Sequence, residues 1–170
     1  MVRIRPYRLD DNSALWEAAR ESMAELQPWM PWCHPAYSPE ESRSWLEAQV
    51  AAFARRDVFE FAITSDDGRY LGACGLNQID RPNQRANLGY WVRSGATRRG
   101  VATAAVGLLR DWGFAHTDLV RLEVVIAAGN VASRRVAEKS GAHFEGVLRQ
   151  QLLLHGVPHD AAMYSLVRPV

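Results

Sequence analysis

The segment from Thr97 to Thr103, which reads Thr-Arg-Arg-Gly-Val-Ala-Thr, carries the first chemical signal in this chain. It joins an apolar, strand-like stretch to an amphipathic, helix-like stretch, and Gly100 and Ala102 leave its backbone free of bulky side chains. The N–H groups at a helix start lack partners within the helix and lie at the positive end of its dipole, so a phosphate can accept several hydrogen bonds there. Arg98 and Arg99 add positive charge at the rim. The segment predicts an anion-binding helix start, without the GxxxxGK or GxGxxG pattern of other phosphate-binding loops.

A second set of polar residues, Asn130 and Ser133, follows one helix and one strand later in the chain. Asn130 is suited to cap a short helix that Gly141 ends, because an amide oxygen can accept a backbone N–H and glycine adopts the left-handed conformation. Ser133 comes three residues after Asn130 and therefore lies on the same helical face. Taken alone, both residues are also explained as capping residues of an ordinary helix.

The elements that must position these residues are indicated by hydrophobic periodicity. Strands are predicted near residues 2–8, 59–65, 70–79, 86–92, 120–127, 144–154 and 157–167. Helices are predicted near residues 12–26, 39–56, 99–115 and 130–139. This order favours an α+β (mixed α/β) fold with a central, mainly antiparallel seven-stranded sheet, about four flanking helices and one parallel crossover through the third helix. A crevice is expected at that crossover, beside the helix N-terminus.

Composition narrows the class of protein. The 170 residues are 48% hydrophobic, and we expect a single domain over residues 1–170. A formal charge of +1 argues against the broad basic surface of a nucleic-acid-binding protein. No apolar run approaches the roughly 20 residues of a membrane helix, and no signal-type stretch follows Met1, so a cytoplasmic protein without a membrane partner is expected. Cys33 and Cys74 are isolated, and His155, His159 and Asp160 lack metal-site spacing, so no metal is expected.

The two sets of polar residues, in this order and spacing, resemble the GNAT superfamily of acyl-CoA N-acyltransferases. Within that superfamily the chain is similar to the ribosomal-protein N-terminal acetyltransferases of the RimJ/RimL type. Further marks of this branch are Pro28-Trp29-Met30-Pro31-Trp32, Leu88-Gly89-Tyr90-Trp91 and Glu145-Gly146-x-Leu148-Arg149. The resemblance spans essentially the whole chain and implies acetyl-CoA as cosubstrate and an amine as acceptor.

The resemblance also implies roles for individual residues. The backbone of residues 98–103 would hold the coenzyme A pyrophosphate, and the main chain of a splayed strand would bind the pantetheine amides. The residues thereby assigned to coenzyme A are Trp91, Val92, Arg98, Arg99, Gly100, Val101, Ala102, Thr103, Asn130 and Arg134, with Arg135 as the alternative to Arg134. Ser133 would lie near the thioester sulfur and donate a proton to the departing thiolate. Trp29, Trp32 and His34 would lie over the acceptor.

The chain departs from the family pattern at the expected proton-transfer positions. Asn87 and Ala137 stand where many such enzymes have a glutamate base and a tyrosine acid, and neither side chain can perform those transfers. Asn87 therefore enters the candidate site only as a polar group. Glu60, on the strand before the hairpin, is the best remaining carboxylate, acting directly or through water. A carboxylate at such a position is more often a surface group on a half-buried strand.

A weak base suits an acceptor that is already partly neutral. Roughly one α-amine in ten is uncharged at pH 7, against roughly one lysine side chain in a few thousand. We therefore expect acetyl transfer to a protein or peptide α-amine in a direct ternary complex. The alternatives are a small amine such as an antibiotic or polyamine, a succinyl or other acyl donor, and a non-catalytic acyl-CoA-binding sensor. A homodimer is one option for its assembly.

Overall fold

The computed structural model describes residues 1–169, which form seven strands and five α-helices. The strands are β1 (Val2–Pro6), β2 (Phe59–Ser65), β3 (Tyr70–Asp80), β4 (Arg85–Val92), β5 (Arg121–Ala127), β6 (His143–Leu154) and β7 (Val157–Val167). The helices are α1 (Asn12–Glu21), α2 (Met23–Leu26), α3 (Pro39–Ala54), α4 (Val101–His116) and α5 (Val131–Lys139). The predicted fold class is confirmed. Within residues 1–169, no helix has the length and apolar character needed to cross a membrane.

All seven strands form one sheet in the order β1-β2-β3-β4-β5-β7-β6. Every neighbouring pair is antiparallel except β4 and β5, which are parallel and joined through α4. Their pairing covers only Arg85–Asn87 against Arg121–Glu123. Beyond Asn87 the two strands separate, so the sheet contains a crevice between the carboxyl-terminal halves of β4 and β5. This is the crevice that the parallel crossover predicted.

Two apolar layers hold the sheet from opposite faces. The larger cluster packs α4 on the sheet through fully buried side chains such as Val106 and Leu109. The second cluster joins α1 and α3 to the other face through Leu15 and Leu46, and it includes Trp91 of β4. Burial of such side chains contributes roughly 1.5–3 kcal/mol each. Because β4 packs against both layers, its position is fixed along the strand as far as the edge of the crevice.

The predicted helix over residues 12–26 is interrupted at Ser22, which gives one helix more than expected. The Ser22 backbone leaves the helical conformation with φ −104° and ψ 8°. Its side chain is fully buried, and its Oγ accepts a hydrogen bond from Ser94 N–H at 2.9 Å. Glu21 supports the same contact by accepting hydrogen bonds from Gly95 N–H at 2.8 Å and from the Arg93 guanidinium. The interruption therefore depends on a tertiary contact with the loop that follows β4.

Candidate active site

The anion-binding segment of the sequence forms the loop and first turn that lead into α4. Gly100 is the N-cap and has φ +74°, a left-handed conformation that favours glycine. The Ala104 N–H donates to Gly100 O at 3.0 Å, so the N–H groups of Val101, Ala102 and Thr103 precede the helical hydrogen bonds. Exposed Arg98 and Arg99 stand just before this turn. The segment thus has the geometry that backbone binding of a phosphate requires.

The backbone of β4 faces β3 on one side and the crevice on the other. Arg93 N–H donates to Leu71 O at 2.8 Å, which extends the ladder between β3 and β4. Successive residues of a strand point their main-chain groups to opposite sides, so Trp91 shares the β3 side with Arg93, and Val92 faces the crevice. Of the two residues expected to bind pantetheine amides through the main chain, Val92 is so placed, whereas Trp91 presents its indole ring to a neighbouring cavity.

The start of α5 lies across the crevice from β4 and is bound to it by a tyrosine. Asn130 Oδ1 accepts a hydrogen bond from Ser133 N–H at 3.1 Å, so Asn130 does act as the helix cap. Ser133 Oγ donates to Tyr90 Oη at 3.0 Å, and Tyr90 Oη donates to Ser133 O at 2.8 Å. Burial raises the pKa of Tyr90 to about 12, although the bond from Ser133 opposes this effect. The two hydroxyl groups form one protonated pair beside the cavity that Tyr90 lines.

Arg134, the residue expected to reach the adenosine 3′-phosphate, is bound within the protein. Its Nε donates to Tyr164 Oη at 3.2 Å, its Nη1 donates to Ala128 O at 3.3 Å, and its guanidinium lies 5.9 Å from the centre of the Phe144 ring. The neighbouring Arg135 is exposed. A phosphate-binding role of Arg134 remains a prediction, and it requires these internal contacts to rearrange.

A cavity of about 460 Å³ lies between the loop before α3, helix α3 itself and strands β2 to β4. Trp32 and His34, which the resemblance assigns to the acceptor side, line this cavity. The Trp32 ring lies 5.8 Å from that of Trp91, and His34 Nε2 is 3.0 Å from Glu41 Oε2. Trp29 is placed elsewhere, since its ring lies against Gly129 in the loop before α5. The loop that contains Trp29, Trp32 and His34 therefore spans from the cavity to the crevice.

Glu60 is the carboxylate at the strand side of this cavity. Its side chain lies over Gly75 of β3, where a Cβ atom would be 2.0 Å from Glu60 Oε2. Only glycine leaves room for the carboxylate at this place. Burial raises the pKa of Glu60 to about 7, while a hydrogen bond from Asn77 Nδ2 acts in the opposite direction. A carboxyl group that titrates near neutral pH is suited to general base catalysis.

Asn87 is connected to Glu60 through a residue that the sequence analysis missed. Asn87 Nδ2 donates to Asn77 Oδ1 at 2.9 Å, and Asn77 Nδ2 donates to Glu60 Oε1 at 3.1 Å. Asn77 and Asn87 are direct cross-strand partners of β3 and β4. That register, taken from the hairpin pattern, is the signal that could have identified Asn77. Tyr90 was identified from the sequence only as part of the Leu-Gly-Tyr-Trp motif, without a role of its own.

The cavity and the crevice meet at β4 and differ in their electrostatics. Among residues 1–169, the side chains that line the cavity include the carboxylates of Glu41 and Glu60 but no Lys or Arg. The rim of the crevice carries Arg98 and Arg99. The rim of the crevice therefore suits an anionic ligand and the cavity suits a cationic one, with the Tyr90 hydroxyl near their meeting point.

The family model described as an acetyltransferase (GNAT) domain matches residues 2–143 of this chain. The chain belongs to this family and is an acyl-CoA-dependent N-acetyltransferase. Acetyl-CoA is the cosubstrate of such enzymes, as the sequence resemblance implied.

Several relatives agree with this assignment. The chain is 30% identical over 133 residues to the uncharacterized N-acetyltransferase YoaA of Bacillus subtilis, a match that covers 78% of this chain and 75% of the relative. It is 24% identical over 153 residues to the ribosomal-protein-serine acetyltransferase of Escherichia coli, covering 90% and 85%. The solved structure of Mycobacterium smegmatis RimJ in complex with CoA-disulfide superposes with a TM-score of 0.88 at 27% identity, covering 98% of this chain and 81% of RimJ. The resemblance to RimJ/RimL-type enzymes is confirmed.

Proposed function

We propose that this enzyme transfers an acetyl group from acetyl-CoA to the α-amine of a protein or peptide, with Glu60 as the general base. The observation that carries the proposal is a carboxyl group with a pKa of about 7 in an aromatic cavity next to the donor crevice. The related RimJ structure, which is a complex with CoA-disulfide, supports coenzyme A as a ligand of this fold. The cavity lining within residues 1–169 offers no Lys or Arg for the free carboxylate of a succinyl group, which favours acetyl.

The chain's own residues account for the steps of transfer. Backbone N–H groups at the start of α4 and Arg98 or Arg99 bind the pyrophosphate, and the main chain of Val92 aligns the pantetheine arm. Acetyl-CoA supplies the thioester whose carbonyl carbon the amine attacks. Glu60 accepts the amine proton, directly or through water, as the new C–N bond forms. The departing thiolate takes a proton from the pair of Ser133 and Tyr90 hydroxyl groups, which are connected at 3.0 Å. The pair regains a proton from solvent, and Glu60 releases the amine proton to solvent, which restores the enzyme.

The pKa of the acceptor amine determines how much of it is neutral and able to attack. At pH 7 an α-amine with a pKa near 8 must lose its ammonium proton to solvent across about one pH unit, whereas a lysine with a pKa of about 10.4 must do so across more than three units. The difference of about 2.4 pKa units corresponds to about 3.3 kcal/mol, or roughly two to three orders of magnitude in the fraction of reactive amine. This favours an α-amine acceptor.

A competition assay tests the proposal. One peptide has a free N-terminus and blocked lysines, and its partner has the same sequence with a blocked N-terminus and one free lysine. We expect acetylation of the first to exceed that of the second by at least about 100-fold in kcat/KM. Faster acetylation of the lysine peptide would overturn the proposal, and no release of CoA with any amine would indicate the sensor instead. The Glu60→Gln variant serves as the control for base catalysis.

A polyamine acceptor is a second candidate, because two carboxylates, Glu41 and Glu60, line the cavity. The Escherichia coli spermidine N(1)-acetyltransferase is 25% identical to this chain over 129 residues. Two carboxylates suit a substrate with two positive charges, whereas a peptide α-amine needs only one. A kcat/KM for spermidine above that for the best peptide would favour this candidate.

A further inference from the structure

We infer that Asn77 is a positioning residue, which holds the Glu60 carboxylate in one orientation and in its ionised form, and that Asn87 fixes the orientation of Asn77. This inference rests on the proposed function, because it concerns the base of that reaction. Its evidence is the arrangement of three side chains on three neighbouring strands, β2, β3 and β4.

The hydrogen bonds in this arrangement all run in one direction. Asn87 Nδ2 donates to Asn77 Oδ1 at 2.9 Å, so the Asn77 amide must present its Nδ2 to Glu60, to which it donates at 3.1 Å. Glu60 Oε1 is the acceptor at the end of the chain. A proton on Oε1 would conflict with that donor, so protonation is directed to Oε2. Hydrogen bonding to the charged form of a carboxylate favours that form.

The backbone fixes the spacing of the three side chains. Glu60 pairs with Gly75 across β2 and β3, and Asn77 pairs with Asn87 across β3 and β4. Gly75 leaves the space in which the Glu60 carboxylate lies, since a Cβ there would be 2.0 Å from Oε2. Regular pairing of β3 and β4 is interrupted directly after Asn77, where Gln78 has φ +49°. Asn77 is therefore the last residue of the regular ladder, directed at the cavity that it lines.

The other titratable groups around Glu60 do not supply a compensating charge. Burial raises the pKa of both Cys74 and Tyr7 well above their ordinary values, so both are neutral near pH 7. His34 and Glu41, across the cavity, bind each other at 3.0 Å. Within residues 1–169, the hydrogen bond that Glu60 receives is the one from Asn77. Asn77 is thus the group that opposes the burial of the carboxylate.

A titration of the Glu60 carboxyl group tests the inference directly. The enzyme is labelled with ¹³C at glutamate carboxyl carbons, the Glu60 resonance is assigned by its loss in Glu60→Gln, and its midpoint is measured by NMR. We expect Asn77→Ala to raise the midpoint by about one pH unit or more, as a lost hydrogen bond to a charged group implies. Asn87→Ala should raise it less, because Asn77 can still donate once its orientation is free. Asn77→Val, which also lacks a hydrogen-bond donor, provides the same readout should the alanine variant fail to fold.

Asn83→Ala is the matched control. Asn83 also donates to a carboxylate, that of Asp80 at 2.8 Å, but it lies at the exposed turn between β3 and β4. We expect it to leave the Glu60 midpoint unchanged. A midpoint in both Asn77 variants that equals the wild-type value would overturn the inference.

A rate measurement separates this inference from the proposed function. With an acceptor amine whose pKa lies well below 6, the fall of kcat/KM at acidic pH, the acid limb of its pH profile, reports the ionisation of the enzyme alone. The midpoint of this acid limb should move to higher pH in Asn77→Ala, together with the NMR midpoint. The dissociation constant for acetyl-CoA should stay the same. An NMR midpoint that moves while the acid limb does not would overturn Glu60 as the base and leave the positioning by Asn77 supported.

Discussion

Replacement of Glu60 by glutamine should stabilise the protein at alkaline pH and inactivate it. Burial raises the pKa of Glu60 from 4.5 to about 7, so the folded state holds this proton more tightly than the unfolded state. The contribution of the carboxyl group to stability is then fully present below pH 4.5 and is lost as the pH rises through 7. About 2.5 pH units at about 1.36 kcal/mol each set an upper limit of roughly 3.4 kcal/mol.

Glutamine has a similar shape and does not titrate, so the stability of Glu60→Gln relative to that of the wild type should increase with pH. Between pH 4.5 and 8.5 we expect the free energy of unfolding of Glu60→Gln to rise by about 3 kcal/mol relative to that of the wild type. Urea unfolding at the two pH values, followed by tryptophan fluorescence, measures this difference. Comparison across pH cancels any constant effect of the new amide.

The control for this experiment is Glu47→Gln, because Glu47 is exposed on α3. Its free energy of unfolding should differ from the wild-type value by a constant amount at both pH values. If Glu60→Gln shows the same constant difference, then Glu60 is not a buried carboxyl group with a raised pKa. The choice of Glu60 as the base would lose its physical support as well.

Three further predictions concern the crevice and the sheet. Ser133→Ala removes the hydroxyl that is hydrogen-bonded to Tyr90, so kcat should fall by about 100-fold. The acetyl-CoA dissociation constant, measured by calorimetry, should stay the same. An unchanged kcat would exclude Ser133 as proton donor. Gly100→Ala places a Cβ at φ +74°, which should cost about 1 kcal/mol and weaken acetyl-CoA binding; wild-type affinity would contradict the backbone cradle. Hydrogen bonds from Arg121 and Ser165 lower the pKa of Glu145 to about 2. Its stabilisation is therefore present above pH 4.5 and lost as the pH falls through 2, so Glu145→Gln should lower the melting temperature at pH 7 and not near pH 2.

Much of the fold follows from local sequence patterns. Alternation predicts β2 and β3, and the Asp66-Asp67-Gly68 turn between them sets their pairing. The interruption at Ser22 could not be predicted in this way. It depends on Ser94, which is 72 residues away, and on burial of a hydroxyl that local propensity treats as exposed.

The same difference between local patterns and contacts of distant residues applies to the candidate site. Gly100, Asn130 and Ser133 belong to helix starts, whose geometry is local, and the structure places them as the sequence predicted. Asn77 was missed because its significance comes from a cross-strand register. The burial of Glu60 depends on the absence of a side chain at Gly75, which lies on another strand.

Any attempt to redesign the acceptor preference by exchanging the loop after α2 must take account of the Ser22 hydroxyl. That hydroxyl and the Glu21 carboxylate hold residues 93–95, the stretch that leads into the donor cradle. A chimera that joins foreign sequence after residue 26 keeps this attachment, together with the hydrogen bond from Ser94 Oγ to Glu25 at 2.8 Å. A chimera joined before residue 21 loses the attachment. Any change in its specificity would then include weaker binding of the acetyl donor.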